Sequence, residues 1–429
     1  MKLGEVCEIV MGQSPKGDTY NHIGNGSPLL NGPTEFGAQH PNCTLWTTSP
    51  KKMCQIGDLI FCVRGSTTGR MNWADQPYCL GRGVGVFRAK TNNQSDTKYI
   101  FYQITMRLQS LLALSNGSVF PNLSATDFNG FDIDWPNSQK RLAITSVLGA
   151  LDDKIENNQQ MNETLEEMAR AIFKSWFVDF DPVHAKAAGK APAHMDADIA
   201  ALFPSSIGDD GLPVGFNSKT LEDVDTELES GKRPKGGIDK SLYEGIPSIG
   251  AESLQKIGDF EYSKVKFVEK EFAEKSSKGW VQNYDVAIYK DGANVGDPTR
   301  VGLFGNGFPF FKFMVNEHVF LLRSKELGQP FLYSLCQSEK LSHQLKSMGT
   351  SKAAQPGLNQ QEVLSCEYIA PPQVLLSAFN KKVSPFIDRR LALGSENQTL
   401  AELRDTLLPK LMSGEICVKD AEREVEAAI

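Results

Sequence analysis

No apolar run in this chain of 429 residues approaches the roughly 18–20 residues a membrane helix needs. Its opening, Met1-Lys2-Leu3-Gly4-Glu5, lacks the apolar core of a signal peptide. An excess of positive charge is missing too: 45 Lys and Arg stand against 52 Asp and Glu, a net charge of −7. That excludes a uniformly basic coat but leaves room for local patches. The eight cysteines contain no C-x-x-C pair and the six histidines no H-x-x-x-H pair, so the usual zinc spacings are absent. The irregularly spaced cysteines read as small buried hydrophobes in a reducing compartment. The expectation is a soluble cytoplasmic protein without metal or disulfide.

What is present is a globular composition, 40% hydrophobic and 23% charged, with length for two domains plus connectors. The halves echo each other in order. Leu3-Gly4-Glu5-Val6 is answered by Leu221-Glu222-Asp223-Val224, and Gly12-Gln13-Ser14-Pro15-Lys16-Gly17 by Gly231-Lys232-Arg233-Pro234-Lys235-Gly236. The block from Gly57 to Gly65 corresponds to Tyr284 to Gly292, and Asn116-Gly117-Ser118 resembles Gly349-Thr350-Ser351. Each half closes on a strand-like run ending in proline, Phe131 to Pro136 and Cys366 to Pro372, and a long helical pattern follows each. A duplicated α+β unit results, with short β-branched and aromatic runs between Gly, Asn and Pro turns. The expected boundaries are globular halves at 1–138 and 219–372, long helices at 139–180 and 373–414, a connector at 181–218 and a tail at 415–429. The connector is rich in Ala, Pro, Gly and Asp and reads as irregular, with one short helix around Asp196 to Leu202.

The helices show the clearest periodicity. Leu148, Leu151, Ile155, Asn158, Asn162, Leu165, Ala169, Ile172 and Trp176 alternate spacings of 3 and 4. So do Leu376, Phe379, Val383, Phe386, Arg390, Leu393, Asn397, Leu400, Arg404, Leu407 and Leu411. This is a coiled-coil seam, and each helix spans on the order of 60 Å. An antiparallel pair would place the halves at opposite ends about a pseudo-two-fold axis, with Asn158, Asn162 and Asn397 fixing register by matching amides. Pro409 is expected to disturb the last turns and Gly414 to cap the second helix.

Motifs for chemistry fail one by one. Gly81-Arg82-Gly83-Val84-Gly85 sits in a strand-like run and lacks dinucleotide-loop spacing. Phe304-Gly305-Asn306-Gly307-Phe308 has no Asn/Asp-Pro-Pro-aromatic partner and reads as a turn. Asp259 to Lys264 has a nuclease-like composition but reads as a solvated strand face. No phosphate-binding or nucleophile-elbow motif occurs. The chain is expected to carry no active site.

Cations gather instead in turns. Residues 1–138 hold 11 basic and 10 acidic side chains and residues 219–372 hold 19 and 21, so any positive surface must be local. In the first half the candidates are Lys16, Arg64, Ser66, Thr67, Arg70, Arg82, Asn116 and Ser118. In the second they are Lys232, Arg233, Lys235, Lys290, Lys346, Thr350 and Lys352. Arg and Lys grip phosphates or read guanine, while hydroxyls and amides position the backbone or read base edges.

Taken together, the opening Leu3 to Val6 with Gly12 to Pro15, the Gly57 to Gly69 block, Asn116-Gly117-Ser118, the helix Leu151 to Asn158 and the ending Leu407 to Ile416 resemble the specificity subunits of type I restriction–modification systems. The resemblance covers nearly the whole chain. It implies two target recognition domains, each reading one half of a split duplex-DNA site. Two antiparallel helices would space them and dock two methyltransferase subunits and, through these, restriction subunits. S-adenosylmethionine, ATP and Mg would sit on those partners, with no cofactor here. Phage anti-restriction DNA mimics would compete for the cleft. Two departures stand out: Arg64-Gly65-Ser66 is replaced in the second half by Lys290-Asp291-Gly292, and the net charge is negative. Two alternatives are the DNA-recognition portion of a split single-chain restriction–methylation enzyme and a non-DNA scaffold of two modules.

Overall fold

The computed structural model describes residues 1–37, 39–115, 121–239, 241–351 and 356–428. The chain forms two compact units, Met1–Glu156 with Thr399–Ile429, and Asn157–Gln398.

In the first unit the strands are β1 (Cys7–Met11), β2 (Tyr20–Asn21), β3 (Ser27–Leu30), β4 (Trp46–Thr47), β5 (Leu59–Cys62), β6 (Met71–Trp73), β7 (Cys79–Leu80) and β8 (Val84–Ala89). They make an antiparallel sheet β1-β8-β5-β6 and a mixed sheet β2-β4-β3-β7, in which only β3 and β7 run parallel. Strand β5 is buried along its length because both its faces are covered. Leu59 and Phe61 pack with Ile100, Ile104 and Phe128, while Ile60 and Cys62 pack with Leu30, Tyr78 and Leu80. That accounts for its continuous apolar run.

The second unit repeats the plan. Its strands are β9 (Asn217–Thr220), β10 (Thr226–Ser230), β11 (Ile246–Ile249), β12 (Lys266–Val268), β13 (Val286–Tyr289), β14 (Gly302–Leu303), β15 (Met314–Val315), β16 (Val319–Ser324) and β17 (Glu367–Ala370). The sheet β10-β16-β13-β14 has the topology of β1-β8-β5-β6, and β12-β11-β15 that of β4-β3-β7. Strand β17 pairs with β9. At the matching place in the first half, residues 131–133 meet the N-terminus through Leu3 N–H to Phe131 O (2.8 Å) and the bridge Lys2–Asp132, a pairing too short to form a strand.

The long helices are Ser138–Phe177 and Gln373–Ser413. The first ends before 180 because Phe180 turns into the left-handed region (φ +53°) and Pro182 follows. The connector holds two helices, Asp181–Ala187 and Ala197–Leu202, where one was expected. The second helix runs through exposed Pro385 and Pro409 to Ser413, and Gly414 (φ +82°) caps it with a hydrogen bond to Lys410 O. Leu407, Leu408, Leu411 and Met412 are buried around Pro409, and their packing offsets the lost helical hydrogen bond. The tail is also helical (Val418–Ala428), its Ala421 buried among these leucines.

Within each unit the helices pair antiparallel. In the first, Leu148 and Leu151 share a cluster with Leu400, Leu407 and Leu411, and Arg404 reaches Asp152 at 2.9 Å. In the second, Asn158 donates to Asn397 at 2.9 Å, Arg390 to Glu166 at 3.0 Å, and Trp176 packs edge-on against Phe379. Partner numbers fall on one helix as they rise on the other. Trp176, Leu376, Phe379 and Val383 join the large core of the second unit, with Ile172 packed against it; Leu165 and Leu393 are buried and Ile155 half-buried. Phe386 is half-buried and lines a cavity of about 440 Å³ with Phe173, Phe177 and Ile387.

Among the described residues no disulfide forms; burial pushes the thiols of Cys7 and Cys54 up to about 12. No described helix is long and apolar enough to cross a membrane.

Candidate nucleic-acid interface

In the first unit four loops converge beyond one end of the sheets. Gly12 N–H donates to Val84 O (3.0 Å), Gln13 N–H to Leu80 O (2.8 Å), Gly81 N–H to Leu30 O (2.7 Å) and Val63 N–H to Gly83 O (2.9 Å). The approach is so close that a Cβ on Gly12 would lie 2.0 Å from Gly81 O, and one on Gly83 2.1 Å from Asn31 O. The glycines at 81–83 therefore form the turn between β7 and β8, breaking the run expected to be one strand.

This scaffold presents the cations. Lys16 and Arg82 are exposed, the latter with its N–H on Ser14 Oγ at 3.2 Å. Arg64 is exposed and donates from Nε to Asn122 Oδ1 at 3.3 Å, while Arg70 reaches Pro33 O at 3.5 Å. Ser66 is exposed and Thr67 half-buried near Cys62 Sγ. Asn116 and Ser118 lie outside the described residues. Among the described residues, Lys16, Arg64, Arg70 and Arg82 join no ion pair.

The second unit repeats the loops but not the charge. Gly231 N–H donates to Asn316 O (3.2 Å), and a Cβ there would lie 1.7 Å from Val315 O. Lys232 and Lys235 are exposed, and Arg233 Nε lies 3.7 Å from Glu317 Oε1. Lys290 is half-buried over the Phe320 ring (5.5 Å) with Nζ on Glu317 O at 3.3 Å. Lys346 and Thr350 are exposed on the helix Glu339–Thr350, which backs onto this loop through Ser342 Oγ to Gly296 O (2.5 Å). Lys352 lies outside the described residues.

Hydrogen bonding fixes which positions are equivalent. Val63 donates to Gly83 O and Lys290 to His318 O; Leu123 donates to Val63 O and Leu358 to Lys290 O; Gly65 donates to Pro121 O and Gly292 to Pro356 O. Arg64 therefore corresponds to Asp291, as the match of Gly57–Gly65 with Tyr284–Gly292 implies, and not to Lys290, as the replacement of Arg64-Gly65-Ser66 by Lys290-Asp291-Gly292 had it. Counting back from the aligned strands β8 and β16, Arg82 corresponds to Glu317. Asp291 and Glu317 flank His318, at 3.1 Å from Nδ1 and 3.4 Å from Nε2. Reading the sequence for cations alone missed these acids.

Behind the loops a shared element holds both sheets. Arg88 grips Asp58 with two 2.6 Å hydrogen bonds and Glu8 with a third; Arg323 grips Asp285 with two of 2.6 Å and Glu229 with a third. Asp58 and Asp285 are buried, and each accepts a backbone N–H three residues earlier at 2.8 Å. The Gly57 block is thus a structural brace. Residues 304–308 form the expected turn, with Gly305 bridging Phe308, but 259–264 form no strand, only a single 3-10 turn at Tyr262–Lys264. Among the described residues no group of three or more potential metal ligands occurs.

Residues 1–167 match the family of type I restriction modification DNA specificity domains. The type I restriction enzyme HindI specificity subunit of Haemophilus influenzae is 28% identical over 351 residues, covering 71% of this chain and 73% of that one. The MjaIX specificity subunit of Methanocaldococcus jannaschii is 26% identical over 352 residues, covering 81% and 75%. The crystal structure of a type I system S subunit from M. genitalium shares the fold, with a TM-score of 0.56 over 96% of this chain and 95% of that one at 18% identity. Residues 1–167 thus carry a type I restriction modification DNA specificity domain, and with its duplicated fold and paired long helices the chain is similar over most of its length to type I specificity subunits.

Proposed function

We propose that the two loop clusters read the two halves of a bipartite duplex-DNA site, and that the helix pair sets the gap between them. The observation that carries this reading is the repetition of one strand topology, each copy ending in a loop cluster that presents exposed cations. Two linked readers bind bivalently, so each raises the effective concentration of the other and their specificities multiply.

The chain acts without catalysis of its own, in the cytoplasm. The helices dock two methyltransferase subunits, which bring S-adenosylmethionine, and through them restriction subunits using ATP and Mg. Exposed apolar side chains on the first long helix support docking: Leu142 (56% exposed) in one unit, and Met161 (48%) and Met168 (45%), seven residues apart, in the other. The recognition boundaries are those of the sequence, 1–138 and 219–372, with the spacer helices between and after them. Phage DNA mimics would compete for the same loops.

The experiment is to delete one heptad from each helix and map methylated adenines made by the assembled complex. Each deletion removes roughly 10 Å of helix, so the preferred gap should shorten by about three base pairs at 3.4 Å each while both half-sites persist. An unchanged gap refutes the spacer role.

A further inference from the structure

Two equivalent positions on the reading loops carry opposite charge. Arg64 and Arg82 of the first domain correspond to Asp291 and Glu317 of the second. The second domain moves its cations instead to the loop after its first strand, with Lys232 and Arg233 where the first has Gln13 and Ser14. The positive charge is relocated, not lost.

Chemistry assigns different partners to these tips. A guanidinium only donates, and in the major groove its best match is the O6 and N7 acceptor pair of guanine. A carboxylate only accepts, and the donors it meets there are the exocyclic amino groups of cytosine and adenine. Facing a phosphate it would be repelled, so a carboxylate on a DNA-reading loop is useful only when aimed at a base edge. His318 holds both acids: Asp291 Oδ2 lies 3.1 Å from one ring nitrogen and Glu317 Oε1 3.4 Å from the other. Glu317 Oε1 also lies 3.7 Å from Arg233 Nε, and Glu317 Oε2 is buried without a hydrogen-bond partner in the protein, an acceptor left unsatisfied. Lys232 and Lys235, exposed on the same loop as Arg233, are left to take the phosphates.

We infer that Asp291 and Glu317 determine specificity in the second half-site by accepting from a cytosine or adenine amino group, while Arg64 and Arg82 donate to guanine in the first. The inference rests on bipartite reading and deepens it.

The test uses the full chain assembled with its methyltransferase subunits and a duplex pool randomised in both half-sites, with the bound fraction sequenced. Asp291→Ala and Glu317→Ala should relax an amino-bearing position in one half-site by about ten- to hundredfold and leave the other half-site untouched. Arg64→Ala and Arg82→Ala should relax a guanine in the other half-site. Asp291→Asn, which preserves size, should narrow its position to adenine, since a carboxamide both donates to N7 and accepts from N6. If the alanine variants bind every sequence more tightly by one common factor, the acids merely repel phosphate and the inference falls. If the unmodified complex selects no two-part site, bipartite reading itself fails.

Discussion

Asp58 and Asp285 hold Arg88 and Arg323 in matching forked pairs, while the loop tips beyond them carry Arg64 and Arg82 in one domain and Asp291 and Glu317 in the other. A buried carboxylate bracing two strands has one workable solution, so the duplicated copies keep it. The loop tips, exposed at Arg64 and Arg82 and half-buried at Asp291 and Glu317, are outside this brace, and the copies diverge there even in sign of charge. The difference separates residues that make the fold from residues proposed to choose the target.

The strongest test of the shared frame is to break it in both places. Asp58→Ala and Asp285→Ala each leave a largely buried guanidinium without its forked partner, at an expected cost of about 3–5 kcal/mol. Denaturant unfolding should give similar losses for the two variants. A loss confined to one would show that the braces are equivalent in geometry only.

The sequence made the frame legible because its signals are local. Gly57-Asp58 and Tyr284-Asp285 precede apolar runs that can only be buried strands, and the 3, 4 spacing of the seams marks both helices. The Asn158–Asn397 contact was likewise readable, since two amides at seam positions have little else to bind. Long-range partners were not readable. Glu166 lies just off the seam of the first helix, yet it is 4% exposed and meets Arg390, itself 2% exposed. The sequence allowed two partners for Arg64, Asp291 by the Gly57–Gly65 block and Lys290 by residue type, and backbone hydrogen bonds decide for Asp291. The tail showed no long seam, and its helix depends on tertiary burial of Ala421.

The seam offers a milder comparison. Strand and helix register make Asn162 of the first helix the counterpart of Asn397 in the second. Asn397 has Asn158 opposite it, whereas the Asn162 amide lies against Gly258, where a Cβ would come within 2.3 Å of Asn162 Nδ2. Both side-chain amide atoms of Asn162 are buried without a hydrogen bond. Asn162→Leu should therefore raise stability by about 1–3 kcal/mol by removing an unsatisfied group, whereas Asn397→Leu removes the hydrogen bond that Asn158 donates to Asn397 and should lower it. Urea midpoints for the two variants should move in opposite directions. Shifts of the same sign would show that the register is not what distinguishes them.

The smallest expected effect concerns how each domain joins its helix. In the first unit Asp96, near the start of the helix Gln94–Met106, is buried against Arg141, with hydrogen bonds of 2.7 and 3.0 Å, and Thr91 donates to it at 2.7 Å. Register places Phe331 and Leu376 at the corresponding positions of the second unit, both within its apolar core. Burial by itself pushes the Asp96 carboxyl up, but the hydrogen bonds from Arg141 and Thr91 and the guanidinium charge outweigh it and hold the group below the usual carboxylate range. A depressed folded value contributes stability that is fully present above the unfolded value of about 3.9 and is lost as pH falls through the folded value. The first joint should therefore weaken in acid and the second should not. Giving the first joint the residues of the second, Asp96→Phe with Arg141→Leu, should be neutral or stabilising near neutrality, as apolar replacements of buried ion pairs often are. Its urea midpoint should then fall less than that of the unmodified chain as pH drops below about 4. Parallel loss in both proteins would assign the acid sensitivity to other carboxylates and remove this distinction between the joints.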